Sequence, residues 1–141
     1  MSMPHNLQTG TWHSAMGDGK LSNIWRDDCA LAAATALANP PAGNAILTLT
    51  GPESFSARDI AALASASTGK PLQVADVTNE QLKQGLAAAG LPDFVVTMLA
   101  SAEANIRAGN FDLVTNDFET LTGRKPRSLK SFFEENKSAL A

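Results

Sequence analysis

Thr11-Trp12-His13-Ser14-Ala15-Met16-Gly17-Asp18-Gly19-Lys20-Leu21-Ser22-Asn23-Ile24-Trp25 is the stretch on which the fold turns. Thr11 to Ala15 and Leu21 to Trp25 have the composition of two short strands, and Met16 to Lys20 that of a turn. Gly17 and Gly19 form the one glycine pair here that suggests a phosphate-gripping loop. A dinucleotide fingerprint needs a third glycine at position 22, where Ser22 stands. It also needs a strand before and a helix after, because the helix N-terminus supplies the anion site. The residues after Gly19 look extended, so the expectation is a hairpin between short strands. The strands and helices that follow alternate as in a nucleotide-handling α/β protein, yet no strand, glycine loop and helix precede them. From Met1 the chain passes through a short irregular stretch straight into Gly10-Thr11-Trp12-His13, which reads as the middle of a larger protein.

Composition sets the class. The chain has 141 residues, enough for one domain with a real core. It is 44% hydrophobic and 18% charged, as an ordinary soluble globular protein is. A net charge of -3 gives no electrostatic reason to expect nucleic acid or an anionic membrane as partner. No apolar run approaches the roughly 20 residues of a membrane span. No basic segment leads into an apolar one at the N-terminus, so no signal peptide is read and the cytoplasm is expected. In that setting the sequon Asn136-Lys137-Ser138 carries no meaning. The one cysteine, Cys29, excludes an internal disulfide and a cysteine-based metal site, and it reads as a small buried hydrophobe.

Helices outnumber strands along the rest of the chain. Asp27 to Ala38 is alanine-rich, starts with acidic residues that suit the positive helix end, and stops at Asn39-Pro40-Pro41. Ala45 to Thr50 has the apolar bias of a central strand. Ser56 with Asp59, and Thr78 with Gln81, are capping boxes that open two helices closed by Gly69 and Gly90. Leu72 to Val77 lies between them as a strand. Pro92-Asp93 starts a longer helix with a stripe of Phe94, Val95, Met98, Leu99, Ala102 and Ile106. Phe111 to Val114 is a short extended piece, and a small helix from Asn116 to Leu121 is capped by Gly123. Pro126 precedes a final amphipathic helix with Leu129, Phe132 and Phe133. Three or four short strands cannot make a complete doubly wound sheet.

The chemistry-bearing residues are few. In Arg26-Asp27-Asp28, one aspartate is expected to cap the helix and the arginine to be solvated or paired, unless it faces a ligand at the carboxyl end of the strands. Trp12 and His13 alternate on one strand, so only one of them enters a cleft. His13 has no partner in the sequence that would make it a general base. Trp12, Trp25 and Met16 can line an apolar pocket for a flat substrate, or serve as core. Glu103 and Arg107, four apart, are expected to pair on a solvated helix face. The cluster Arg124-Lys125-Pro126-Arg127 is too short to argue for nucleic acid. No hydrolase triad pattern and no metal-ligand spacing appear, so no catalytic residue and no metal ligand is assigned.

Three segments carry a family resemblance: Gly17-Asp18-Gly19-Lys20 followed by Ile24 to Ala30; Leu49-Thr50-Gly51-Pro52-Glu53-Ser54-Phe55-Ser56; and Phe111-Asp112 followed by Leu121-Thr122-Gly123-Arg124-Lys125-Pro126-Arg127-Ser128-Leu129. In this order the chain, from about Leu7 to Phe133, resembles the C-terminal half of the NmrA-like family. These are atypical short-chain dehydrogenases that include NAD(P)H:quinone oxidoreductases and triphenylmethane-dye reductases. The resemblance implies an α/β chain with a partial Rossmann-type fold: a C-terminal helical substrate lobe with a few short strands, in one domain over residues 1–141. The glycine-rich cofactor half has no counterpart in the chain. The helix from Asp28 and the strand from Ala45 would belong to the last part of the Rossmann sheet. The resemblance also implies NAD(P)H as cofactor, and it carries Trp12, Met16 and Arg26 over as substrate-binding positions. No cofactor-binding residue carries over, and the chain contains no tyrosine for a tyrosine–lysine pair.

Two functions follow from that likeness. In one, the chain is the substrate lobe of an NAD(P)H-dependent oxidoreductase, present as a fragment or split gene product and inactive alone. It would orient a quinone-like or other flat electron-poor acceptor for hydride transfer and exclude water. Its partner would be an N-terminal Rossmann half or a second copy in a homodimer, because a truncated sheet exposes an apolar edge. In the other, it is a non-enzymatic NmrA-like regulatory or interaction module.

Overall fold

The computed structural model describes residues 3–40 and 42–140. The helices are α1 (Met3–Thr9), α2 (Arg26–Ala38), α3 (Ala57–Thr68), α4 (Asn79–Ala88), α5 (Asp93–Arg107), α6 (Asp117–Thr122), α7 (Leu129–Glu135) and α8 (Lys137–Leu140). The strands are β1 (Thr11–Ser14), β2 (Lys20–Leu21), β3 (Phe55–Ser56) and β4 (Gln73–Asp76). The fold is mixed α/β and mostly helical, with a small parallel sheet.

Both capping boxes form. The Ser56 hydroxyl accepts from the Asp59 N–H, and the Asp59 carboxylate accepts from the Ser56 N–H at 2.9 Å. Thr78 and Gln81 do the same at the start of α4. These signals were legible because a capping box satisfies backbone donors within four residues and needs no distant partner. Pro40 follows α2 as expected, whereas Pro41 lies outside the described residues.

The sheet departs from the expected hairpin. β1 pairs parallel with β4, from Thr11 opposite Gln73 to Ser14 opposite Asp76. β2 pairs antiparallel with β3, Lys20 opposite Ser56 and Leu21 opposite Phe55. The expected turn does form, over Met16 to Gly19, closed by the Gly19 N–H on the Met16 carbonyl at 3.0 Å, while Lys20 already belongs to β2. Its flanking strands, however, find separate partners, β1 about sixty residues on and β2 about thirty-five. The second strand also stops at Leu21 rather than running to Trp25.

Ala45 to Thr50 is the largest departure. Among the described residues it is not a strand and has no strand partner, and Ile46 is 97% exposed. One side is held through side chains of the 115–117 segment. The Thr48 N–H donates to Asp117 at 2.7 Å, the Thr115 N–H donates to the Thr50 hydroxyl at 3.0 Å, and the Thr115 hydroxyl bonds the Thr48 carbonyl. An apolar run becomes a strand only where a backbone edge meets it.

The N-terminal stretch, expected to be irregular, is helix α1. It is held by tertiary burial: Leu7, 3% exposed, shares a core with Ile60, Leu72, Leu129, Phe133 and Leu140. The apolar stripe of α5 is also displaced. Val96, Ala100 and Ile106 are buried, while Phe94 and Met98 are exposed. A second core joins Ala15 to α4 and α5 through Leu82, Leu86, Val96 and Ala100. Among the described residues no helix is long and apolar enough to cross a membrane.

Candidate functional site

The three positions singled out in the sequence, Trp12, Met16 and Arg26, line one cavity of about 340 Å³. Trp12 comes from β1, Met16 from the turn after it, and Arg26 from the first position of α2. Asn23, Ile24 and Trp25 add a second wall, and Ile60, Leu129, Phe132 and Phe133 close it from α3 and α7. Among the described residues lining it, Arg26 is the only charged one. The size falls within the roughly 300–1,000 Å³ range of small-molecule sites, and the lining is apolar and aromatic as such sites are.

The aromatic wall is built to be rigid. The Trp25 indole N–H donates to the Ser128 carbonyl at 3.0 Å, and Phe132 meets the Trp25 ring edge-on with centroids 5.3 Å apart. The Arg127 guanidinium sits 3.8 Å from the centroid of the same indole, in cation–π contact. Arg127 is in turn held by Asp28, whose carboxylate accepts from both its Nε and its backbone N–H at 2.9 Å. One of Asp27 and Asp28 was expected to cap the helix. Instead α2 begins without any side-chain cap, and Asp28 anchors the segment entering α7.

Phe132 could not be placed at this wall from the sequence. Its amphipathic spacing with Leu129 and Phe133 signalled a buried helix face, but nothing local says that the face meets Trp25. His13 opens onto a second cavity of about 70 Å³ with Asn6 and Glu103, and Trp12 lines this one too, so both residues reach a cleft, contrary to the expectation that only one of them would.

The expected ion pair between Glu103 and Arg107 is not among the salt bridges. Glu103 is half-buried and turns to the end of β1, where it accepts from the Ala15 N–H and, at 3.2 Å, from the Ser14 hydroxyl. Burial raises its pKa above the ordinary glutamate value. Those two hydrogen bonds and the charge of Arg107 work in the opposite direction. Arg107 lies beside Gly17, and Gly19 packs onto the last turn of α5 so closely that a Cβ there would fall 2.2 Å from the Ile106 carbonyl oxygen. Local periodicity placed Glu103 and Arg107 on a solvated face because it cannot show that the β1–β2 turn lies against them.

This packing also answers whether Gly17-Asp18-Gly19 fits a dinucleotide pyrophosphate. The turn runs into strand β2, not into a helix, and it faces the C-terminal end of α5, the negative end of that helix dipole. The residues present do not fit the group. Among the described residues, no group of three or more His, Cys, Asp or Glu side chains is placed to hold a metal ion.

No protein-family model matches the chain. An NAD(P)H azoreductase of Xenophilus azovorans is 32% identical over 136 residues, which cover 94% of this chain and 46% of that enzyme. The crystal structure of an NADPH-dependent quinone oxidoreductase of Escherichia coli superposes with a TM-score of 0.89 at 25% identity, over 95% of this chain and 49% of that one. The triphenylmethane reductase of Citrobacter sp., solved with NADP(H), matches in fold with a TM-score of 0.84 at 22% identity, over 96% of this chain and 47% of that one. The chain thus spans about half the length of the relatives it matches.

Proposed function

Because the chain is kin to the NmrA-like, atypical short-chain dehydrogenase type of NAD(P)H oxidoreductase and resembles its C-terminal half, we propose that it is the acceptor-binding lobe of such an enzyme. The acceptor is a quinone-like or other flat, electron-poor aromatic molecule, reduced by two electrons in the cytoplasm. The observation that carries this reading is the cavity in which Trp12, Met16 and Arg26 converge with Trp25 and Phe132. Its walls supply flat apolar surface for stacking, and its charged lining residue, Arg26, supplies a donor for a carbonyl or an anionic substituent. The kinship implies NAD(P)H as the hydride donor. The chain's own glycine turn does not fit the dinucleotide, so a nucleotide-binding α/β half, or a second copy of the chain, would have to complete the active site. The work of this chain is to bind and orient the acceptor and to keep water from it.

The test is calorimetric titration of the chain with 2,3-dimethyl-1,4-naphthoquinone, whose methyl groups block addition of the Cys29 thiol. Saturable binding is expected, weakened about ten-fold by Trp12→Ala, the loss that removing one buried aromatic contact brings. Binding that is absent, or indifferent to Trp12, would overturn the acceptor reading and leave a non-enzymatic module of the same family as the alternative.

A further inference from the structure

The C-terminal end of α5 touches the turn that carries Met16 at three points, and this gives Glu103 a role that its place on a helix surface does not suggest. The Glu103 carboxylate accepts hydrogen bonds from the Ala15 N–H and the Ser14 hydroxyl. The same Ser14 oxygen accepts from the Met16 N–H at 3.2 Å, and the Met16 carbonyl accepts from the Gly19 N–H at 3.0 Å. Gly19 rests on the Ile106 carbonyl, and the Ile106 side chain packs with Met16 in a small core. The Ala15 N–H is therefore tied directly to α5, the Met16 N–H through Ser14, and the Met16 carbonyl within the turn. Met16 is 3% exposed and forms one wall of the aromatic cavity.

We infer that Glu103 is a positioning residue for the acceptor cavity: by tying the Ser14–Ala15 backbone to α5, it fixes Met16 as the cavity wall. The inference rests on the proposed function only in taking the cavity to be an acceptor site; the placement of Met16 stands apart from it. A carboxylate suits this task because one oxygen, Oε2, accepts from both the Ala15 N–H and the Ser14 hydroxyl, which an alkyl side chain cannot do. A glutamine keeps one acceptor oxygen at the same reach. Loss of both bonds leaves a half-buried N–H unsatisfied and frees the turn to move as a unit.

The experiment follows the Met16 methyl signal in protein labelled with ¹³C-methyl methionine, assigned by its loss in Met16→Leu. Quinone binding is measured in parallel with 2,3-dimethyl-1,4-naphthoquinone. Glu103→Ala is expected to shift the Met16 signal towards the position of an exposed methionine and to weaken quinone binding about five-fold. Glu103→Gln is expected to rescue both. An unmoved Met16 signal in a folded Glu103→Ala protein overturns the inference, and so does a Glu103→Gln protein as displaced as Glu103→Ala. If Glu103→Ala does not fold, Ser14→Ala removes the Ser14–Glu103 bond together with the link to the Met16 N–H, and an unmoved Met16 signal there overturns the inference. A shifted Met16 signal in a protein whose wild type binds no quinone supports the positioning role while overturning the acceptor reading.

Discussion

Asp28 and Arg127, ninety-nine positions apart, are joined twice: one carboxylate accepts from the Arg127 side chain and from its backbone N–H, both at 2.9 Å. The pairing ties the start of α2 to the segment that enters α7, and through Arg127 it holds the Trp25 indole against the cavity. The Asp28 side chain is 8% exposed, while the Arg127 side chain is 36% exposed, so the pair is buried at its acid end only.

Replacing Asp28 therefore removes the acceptor of a half-buried N–H as well as a charge. Asp28→Ala is expected to lower stability by about 2 kcal/mol, between a neutral hydrogen bond and a fully buried ion pair. Urea denaturation followed by circular dichroism measures it. Loss of less than about 0.5 kcal/mol, the scale of a surface pair, would show that the contact adds nothing to the fold.

Glu103 makes stability depend on pH with a definite sign. Burial raises its pKa in the folded chain, so the folded state keeps this proton to higher pH than the unfolded state does. Its contribution is then full below the ordinary glutamate value and declines as pH rises through the raised one. Glu103→Gln should remove that decline from the stability–pH curve. Identical slopes in the two proteins would contradict the assignment.

Asp59 has the opposite sign. The Ser56 hydroxyl and then the Ser56 N–H hold its pKa below the ordinary aspartate value. The stability it adds at the start of α3 is present above that ordinary value and lost as pH falls through the lowered one. Asp59→Ala should cost about 1 kcal/mol at neutral pH, as the loss of a helix-capping interaction does, and little in strong acid. Thermal melts at two pH values separate these outcomes.

The irregular segment around Ile46 predicts self-association. A bare backbone edge next to an almost fully exposed Ile46 and a half-exposed Leu47 invites pairing with another strand. Sedimentation velocity should show concentration-dependent dimers, and Ile46→Lys should suppress them. A monodisperse monomer across the concentration range would count against this.

The sequence by itself determined what is settled within a few residues: both capping boxes, the turn that starts at Met16, and the extents of α2, α3 and α6 to within a residue or two. The signals there are backbone hydrogen bonds closed by near neighbours, or turn residues that permit few conformations. It also marked Trp12, Met16 and Arg26, through composition and family resemblance. Only the tertiary structure decided that β1 pairs with β4 and not with β2, that α1 forms, and that Ala45 to Thr50 stays without a strand partner. Only it brought Phe132 to Trp25 and turned Asp28 and Glu103 away from the local roles their positions suggested. The physical reason is common to all of these. Each depends on a partner tens of residues away, and a periodic pattern states which face is apolar without stating what will cover it.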